Sequence, residues 1–504
     1  MLSLSKTDKN AIVLEPSAGE GVFIELLKRK GCARIDGYEI DPELAAQHEC
    51  VKCASFIGAE IATRYDLVIG NPPYVRWKNL GARFKDELAA NALWNKYFNS
   101  LCDYSYIFML KSVEALKDGG ELIFICPEYW TNTTNAQSLR DYFCEHGYFS
   151  DFYIFNESSI FKGATVSTVV FRFVKSQDPV KPTMHVAKFS RKANLSGDVL
   201  KRLLEHTPVD GVEYMELSQF RKEERWVFAP KVEQDALERL MAACVVDVFD
   251  GGLFRRKKMC TVHDVCEIAN GMVSGLDRAF QIPDNIDLTP DEKRDSILVY
   301  KAKDLTRYWA LRPTRYVYVP ENVTHESDFK RIYPHFHALM QPNKDALMAR
   351  YSYGKELPYW QWCFKRSEKL FSGKGKRIFV PCKERISAKS YVRFALADEG
   401  FYPTQDVTGI FKKAGVRESI EYILAYLNHP LIFKWIRNYG IVKGNIVEFS
   451  EKPLSSIPFR KIKWDSRRET ELHDKIAKLT AAMIVERKMA NAATINSYLG
   501  ELMA

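Results

Sequence analysis

The chain has 504 residues, of which 46% are hydrophobic and 13% aromatic, enough to form two or three well-packed domains. Its net charge of +9 at pH 7 favours an acidic partner, above all nucleic acid. No apolar run reaches the ~18–20 residues of a membrane span, and no signal sequence is evident, so we predict a cytoplasmic protein without a membrane partner. Eleven cysteines in an irregular spacing fit reduced thiols better than disulfides or a metal site.

The first predicted unit is a strand, a glycine-containing turn and a helix. Residues 11–14 are apolar and predict a buried strand, and a helical pattern over residues 22–27 follows the turn. The turn holds Gly19 and Gly21, which let the backbone come close to a ligand, as in nucleotide-binding turns. A second predicted strand over residues 33–40 places Glu39 at its end, where an acid can accept hydrogen bonds from ribose hydroxyls.

A third predicted strand, residues 66–69, leads through Gly70 into Asn71-Pro72-Pro73-Tyr74. The two prolines fix φ and remove two N–H donors, so the turn offers two acceptors, the Pro72 carbonyl and the Asn71 side-chain oxygen. Two converging acceptors can hold an NH₂ group, and Tyr74 offers a ring on which a planar base can stack. By itself the turn fits a DNA base, an RNA base or a protein amide.

Taken in this order, these motifs resemble the gamma class, or TaqI type, of N6-adenine DNA methyltransferases, the modification enzymes of type II restriction-modification systems. The resemblance covers most of residues 10–175 and is carried by residues 14–21, 38–42, 71–74, 103–110, 116–127, 139–143 and 160–171. It implies an α/β, Rossmann-like domain that depends on S-adenosylmethionine, which we predict over residues 1–228.

The resemblance also implies site residues. The catalytic residues would be Asn71, Pro72 and Tyr74, with Tyr74 and Phe161 stacking on the flipped adenine, and no metal is required. Cofactor contacts are implied for Glu15, Pro16, Ser17, Gly19, Gly21, Glu39, Ser55, Phe56 and Asn71. Two departures stand out: Ser55 takes the place of an acid, and only about ten residues precede the first strand, with residues 1–4 resembling the tail of an upstream helix. We therefore expect a shortened start.

The second half predicts an α+β target-recognition domain over residues 229–460, followed by a C-terminal helical segment over residues 461–504. Residues 268–275, 300–305, 359–362 and 371–381 resemble the specificity domain of TaqI-type enzymes. A basic stretch within this domain favours binding of DNA phosphates, because such contacts set affinity and register. The candidate residues are Lys374, Lys376, Arg377, Lys383 and Arg385.

These features predict a monomeric enzyme that transfers a methyl group from S-adenosylmethionine to N6 of an adenine flipped out of double-stranded DNA. The mark would protect the site from a cognate restriction endonuclease, a functional rather than a stable partner. The alternatives are an RNA-base or protein-glutamine N-methyltransferase, or a catalytically weak DNA-binding subunit.

Overall fold

The computed structural model describes residues 1–156, 158, 160, 167–250, 254–350, 354, 356–387, 389–443 and 445–503. The chain forms two compact units. The first comprises residues 1–231 with 443–445, and the second comprises residues 232–442 with 446–504.

The described part of the first unit is built on one nine-stranded sheet with helices between its strands. Its strands are β1 (Ile12–Glu15), β2 (Arg34–Glu39), β3 (Val51–Cys53), β4 (Tyr65–Gly70), β5 (Leu116–Pro127), β6 (Gly147–Ile154), β7 (Thr168–Lys175), β8 (Met184–Phe189) and β9 (Val212–Leu217). Its helices are α1 (Val22–Lys30), α2 (Pro42–Ala45), α3 (Ala82–Ala90), α4 (Ala92–Tyr97), α5 (Ser105–Ala115), α6 (Gln137–His146) and α7 (Gly197–Leu204).

The strands lie in the order β3-β2-β1-β4-β5-β7-β6-β8-β9. Strand β1 pairs in parallel with both β2 and β4, so the strand order reverses between β1 and β4. In open α/β sheets, ligands bind beyond the carboxyl ends of the strands at such a switch point. The α/β, Rossmann-like fold predicted for this half is confirmed.

Alternating side chains of the central strands fill cores on both faces of this sheet. Leu14 and Val68 belong to the larger core, while Val13, Leu67 and Ile69 point to the opposite face, where Leu27 of α1 covers them. Burying each such side chain contributes on the order of 1.5–3 kcal/mol. This continuous apolar character explains why residues 11–14 and 66–69 were recognisable as buried strands.

Among its described residues, the second unit contains several smaller sheets and many short helices, which matches the predicted α+β class. Its strands are β10 (Val245–Asp250), β11 (Phe254–Met259), β12 (Cys266–Asn270), β13 (Ser296–Tyr300), β14 (Tyr308–Trp309), β15 (Thr314–Val317), β16 (Arg377–Pro381), β17 (Lys383–Arg385), β18 (Ala395–Ala397), β19 (Phe401–Pro403), β20 (Val407–Lys412), β21 (Ile441–Lys443) and β22 (Ile446–Glu448). Strands β12, β20, β16, β18 and β14 form the largest sheet, in that order.

The helices of this half are α8 (Lys231–Ala243), α9 (Val262–Val265), α10 (Asp277–Phe280), α11 (Pro290–Arg294), α12 (Glu326–Ile332), α13 (Pro334–Met340), α14 (Lys344–Met348), α15 (Glu368–Phe371), α16 (Ile420–Leu427), α17 (Pro430–Tyr439), α18 (Glu451–Ser455), α19 (Arg467–Glu486) and α20 (Ala492–Met503). The C-terminal segment predicted to be helical, residues 461–504, contains two helices, and the first of them, α19, ends where Arg487 adopts a left-handed conformation with φ of 52°. Ile476 of α19 and Leu499 of α20 both pack into the core of the second unit.

Candidate active site

Two loops of the first unit begin side by side at the carboxyl edge of its sheet. Glu15 ends β1 and Gly70 ends β4, and these neighbouring strands run in parallel. Pro16 lies against Gly70, since a Cβ added there would be 3.4 Å from the Pro16 Cδ. Ser17 Oγ donates a hydrogen bond of 3.1 Å to the main-chain oxygen of Asn71. The structure thus brings the predicted glycine loop and the Asn-Pro-Pro-Tyr turn together.

Glu39 holds the glycine loop at the end of β2. Its Oε2 accepts a hydrogen bond from the Gly19 N–H at 2.8 Å, and its Oε1 accepts from the N–H groups of Ile40 at 2.8 Å and Asp41 at 3.0 Å. A carboxylate has about four lone-pair sites, so one acceptor position is left for a ligand hydroxyl. Glu39 therefore shapes the loop and can also bind a ligand.

Both loop glycines are in the left-handed region, with φ of 54° at Gly19 and 75° at Gly21, and they differ in their surroundings. A Cβ added to Gly21 would lie 1.9 Å from His48 Nε2, whereas a Cβ at Gly19 would meet no described atom within 4 Å. Gly21 is thus required by the imidazole packed against it, and Gly19 leaves an open approach to the backbone. No sequence pattern indicated this role for His48, because the contact is formed only in the folded chain.

Glu15 is a buried acid beside this loop. Its side chain is 1% exposed, accepts a hydrogen bond from the Ile24 N–H in the first turn of α1, and has its Oε2 without a partner among the described residues. Burial raises the pKa of Glu15 to about 9, and the nearby Glu39 charge adds to the rise. An orphaned buried oxygen beside an open glycine backbone fits a ligand with an ammonium group, as S-adenosylmethionine has.

The turn after β4 is anchored by its tyrosine. The Tyr74 hydroxyl lies within hydrogen-bonding distance of Asn71 Oδ1 and of the Ile125 carbonyl oxygen, so its single proton has two acceptors. Burial raises the pKa of Tyr74, so it stays a donor. Asn71 itself is exposed and Pro72 is buried. The Asn71 oxygen therefore faces a region that a ligand can reach.

Two polar residues beside the turn, Asp103 and Tyr129, were not among the site residues predicted from the sequence. The Tyr129 hydroxyl donates to Asp103 Oδ2 at 2.7 Å, and Asp103 Oδ1 also accepts from the N–H and Oγ of Ser105. Both side chains lie close enough to Tyr74 to raise its pKa. Asp103 lies in residues 103–110, one of the motifs that carry the family resemblance, and this motif could have identified it as a candidate site residue. Phe161, the predicted second aromatic, lies outside the described residues.

Ser55 and Phe56, both predicted to contact the cofactor, have different environments. Ser55 is half-buried and hydrogen bonds with the Tyr104 hydroxyl. Phe56 is 1% exposed, with its ring centroid 5.7 Å from that of Tyr38 and 5.6 Å from that of Phe108. These neighbours enclose the Phe56 ring, and the predicted role of Phe56 in cofactor binding stays a prediction.

The predicted phosphate-binding residues of the second unit have different environments. Lys374 is exposed, and Lys383 and Arg385 are exposed on β17. Lys376 is exposed but forms an ion pair of 2.8 Å with Glu421. Arg377 is fully buried.

Arg377 is a structural residue, and the prediction that it binds phosphate is wrong. Its guanidinium donates to the carbonyl oxygens of Phe371 at 2.6 Å, Gly373 at 2.7 Å and Gly375 at 2.8 Å. These bonds close the loop before β16, which runs through the middle of its sheet. No surface of the side chain is left for a DNA phosphate.

The described residues contain no group of three or more His, Cys, Asp or Glu side chains arranged to hold a metal ion. In the same part of the chain, no helix has the length and apolar character needed to cross a membrane. All eleven cysteines are free thiols.

The chain is similar to known methyltransferases of restriction-modification systems. The family model of the Eco57I restriction-modification methylase matches residues 23–161. The type II methyltransferase M.HindII of Haemophilus influenzae is 42% identical over 504 residues, which is 100% of this chain and 95% of M.HindII. M.HincII, a type II methyltransferase also from Haemophilus influenzae, is 40% identical over 502 residues, with the same shares covered.

Among solved structures, the type IIL restriction-modification enzyme MmeI, determined in complex with DNA, has a TM-score of 0.62. The match covers 98% of this chain and 70% of MmeI at 10% sequence identity. At this identity the likeness concerns the fold.

Proposed function

The chain belongs to the type II methyltransferases of restriction-modification systems, and we propose that it methylates N6 of adenine in duplex DNA, with S-adenosylmethionine as the methyl donor. One observation carries the choice of adenine N6. The Asn71-Pro72-Pro73-Tyr74 turn follows β4 at the carboxyl edge of the sheet, and Ser17 ties it to the loop that follows β1. Acceptors for an amino group thus lie beside a loop suited to the cofactor.

The cofactor would be held by residues of the first three parallel strands and their loops. Glu15 would face its ammonium group, Glu39 would accept from a ribose hydroxyl, and the backbone at Gly19 would allow close approach. Ser17 and Gly21 shape the same loop, Pro16 supports it, and the Ser55 hydroxyl offers a further polar contact. When bound, S-adenosylmethionine supplies an electrophilic methyl group on a sulfonium.

The target amino group would be bound by the turn. Adenine N6 carries two hydrogens and no charge, so two neutral acceptors, the Asn71 Oδ1 and the Pro72 carbonyl oxygen, suit it. Both bonds would favour a pyramidal nitrogen whose lone pair can attack. Catalysis then rests on orientation and electrostatics, and we assign no general base, since the methylated nitrogen loses its proton readily to solvent.

Adenine in a duplex must leave the base stack to reach this turn, because its N6 is held in a base pair; unstacking costs a few kcal/mol. Stacking of the adenine on the Tyr74 ring would offset about 1–3 kcal/mol of the unstacking cost. The resemblance implies that Phe161 packs on the other side of the base.

The second unit would recognise the DNA target. Lys374, Lys376, Lys383 and Arg385 would contact phosphates and so set affinity and register. The modified site would be protected from a cognate endonuclease carried on a separate chain.

Transfer of labelled methyl groups to duplex DNA, followed by mass spectrometry of the nucleosides, tests this function. N6-methyladenine is the expected product. Methylated cytosine would exclude the assignment to adenine. Parallel reactions with RNA or protein in place of DNA would identify the other substrate classes if only these took up label. Calorimetry with S-adenosylmethionine separates an enzyme from a DNA-binding subunit that has lost its cofactor site, which would give no binding heat.

A further inference from the structure

The second unit contains a basic cavity of about 340 Å³ that is separate from the sites described above. It is lined by the start of β10, by residues 415–418 and by residues 460–464. Its charged lining consists of four cations, Arg417, Arg460, Lys461 and Lys463, and, among the described residues that line it, one acid, Glu418. We call this site the basic cavity.

Four cations against one acid leave the lining of the cavity with an excess of positive charge. Glu418 is buried, and its Oε1 accepts the Ile462 N–H at 3.0 Å. Arg460, also buried, is used within the protein, donating to Glu469 at 2.7 Å and to the Leu502 carbonyl oxygen at 3.0 Å. These bonds fix the wall of the basic cavity and leave its exposed cations to a ligand.

Three cations at the rim have no carboxylate partner in the part of the chain that the structure describes: Arg417, Lys461 and Lys463. Lys376, another exposed cation of this unit, is by contrast paired with Glu421 at 2.8 Å. Like charges gathered without counter-ions repel one another, so an anionic ligand is favoured there.

Arg417 is held in place for such a ligand. Its guanidinium lies over the Trp464 ring, 4.3 Å from the ring centroid. Stacking of this kind uses the face of the guanidinium and leaves its in-plane N–H groups available to oxygen acceptors. Those groups form no hydrogen bond or ion pair with described residues, and a fork of N–H donors matches the oxygens of a phosphate.

The basic cavity continues into a strand rich in positive charge. Val245 and Val246 line the cavity and begin β10, which pairs only with β11 among the described strands. Residues 256–258 on β11 are Arg-Lys-Lys, and Lys258, which lies opposite Val246, forms an ion pair of 2.7 Å with Asp264. A two-stranded ribbon has dimensions that fit along a DNA groove, so this continuity favours DNA over a small anion.

We propose that the basic cavity binds a backbone phosphate of the DNA substrate through Arg417, Lys461 and Lys463. The proposal rests on the proposed function in that the polyanion is duplex DNA. The contact is additional to the stretch from Lys374 to Arg385 and carries no base specificity, because phosphates are the same at every sequence.

The test is the salt dependence of duplex binding by the full chain. Arg417→Gln/Lys463→Gln is expected to weaken binding at least about tenfold at 0.1 M salt and, because one phosphate contact is lost, to lower the slope of log Kd against log salt by about 1. Arg417→Lys/Lys463→Arg keeps both charges and is expected to retain most of the slope. The control Arg312→Gln/Lys330→Gln removes one Arg and one Lys exposed elsewhere in this unit and should leave the slope unchanged.

The two proposals fail in different ways. An unchanged slope in Arg417→Gln/Lys463→Gln, or an equal loss in the control, overturns the phosphate site while wild-type methylation of DNA stands. Failure of the wild-type chain to bind duplex DNA overturns both. Melting curves show whether the variants are folded, and if the double glutamine variant melts early, the single variant Lys463→Gln, which leaves the stack of Arg417 on Trp464 intact, decides the outcome by whether it lowers the slope.

Discussion

The Tyr74 hydroxyl donates to the side-chain oxygen of Asn71, so the acceptor proposed for the substrate amino group is engaged before any substrate arrives. The same hydroxyl has a second acceptor in the Ile125 carbonyl oxygen. An entering amino group can therefore donate to the Asn71 side-chain oxygen, while the Tyr74 hydroxyl keeps its hydrogen bond to the Ile125 carbonyl oxygen. The exchange avoids leaving a buried polar group unsatisfied.

Substitutions of Tyr74 separate its ring from its hydroxyl. Tyr74→Phe keeps the stacking surface and removes the competing donor, so we expect kcat/KM for DNA methylation within about threefold of wild type. Tyr74→Ala loses about 1–3 kcal/mol of stacking, a fall of roughly ten- to a hundredfold. Steady-state methylation rates measure both. A Phe variant as inactive as the Ala variant would show that the hydroxyl, not the ring, carries the role.

Cofactor binding should release a proton from Glu15. With its pKa at about 9, the carboxyl is protonated at pH 7, and an ammonium group beside it would lower that pKa and expel the proton. Affinity should then rise with pH toward about 9. Calorimetry at pH 7 in two buffers of different ionisation enthalpy measures the released proton. Glu15→Gln has no proton to lose, and an equal release from that variant would contradict the assignment.

The two loop glycines should respond differently to alanine. Gly21→Ala places a Cβ 1.9 Å from His48 Nε2 and strains a residue with φ of 75°, so we expect a loss of about 2–3 kcal/mol in unfolding free energy and much weaker cofactor binding. Gly19→Ala meets only the cost of its left-handed φ, about 1 kcal/mol. Denaturant unfolding compares them. Equal losses would remove His48 from the explanation, whereas partial recovery in Gly21→Ala/His48→Ala would support it.

Arg377 and Lys374 are close in sequence and should have opposite phenotypes. Arg377→Met leaves three carbonyl oxygens without their donor, so we expect a loss of about 3 kcal/mol in stability. Lys374→Gln alters an exposed side chain and should weaken DNA binding without lowering the melting temperature. Thermal melting and duplex binding of both variants check this. A stable Arg377→Met that binds DNA poorly would restore Arg377 as a phosphate contact.

The features that could be predicted from the sequence are those that depend on residues adjacent in the chain. Strands β1 and β4 were recognisable from short apolar runs, β2 from its place after the glycine turn and the helix, and Gly19, Gly21 and the Asn71 turn from local backbone requirements. The resemblance then related these pieces to one another, because their order along the chain is that of a known family.

Contacts between distant segments could not be predicted in this way. Arg377 and Lys374 belong to one basic stretch, and only the position of β16 inside its sheet turns Arg377 inward. His48 reaches Gly21, and Phe56 joins the core, through packing that no local pattern describes. The basic cavity was missed because its cations come from two segments far apart in the chain.

The most direct test of the central claim is to map methylated bases in the DNA of cells that express the wild-type chain or its Asn71→Ala variant. We predict N6-methyladenine at one sequence context with wild type and none with Asn71→Ala, although the variant should still bind DNA. Marks on cytosine, or adenine marks that persist in the variant, would contradict the account.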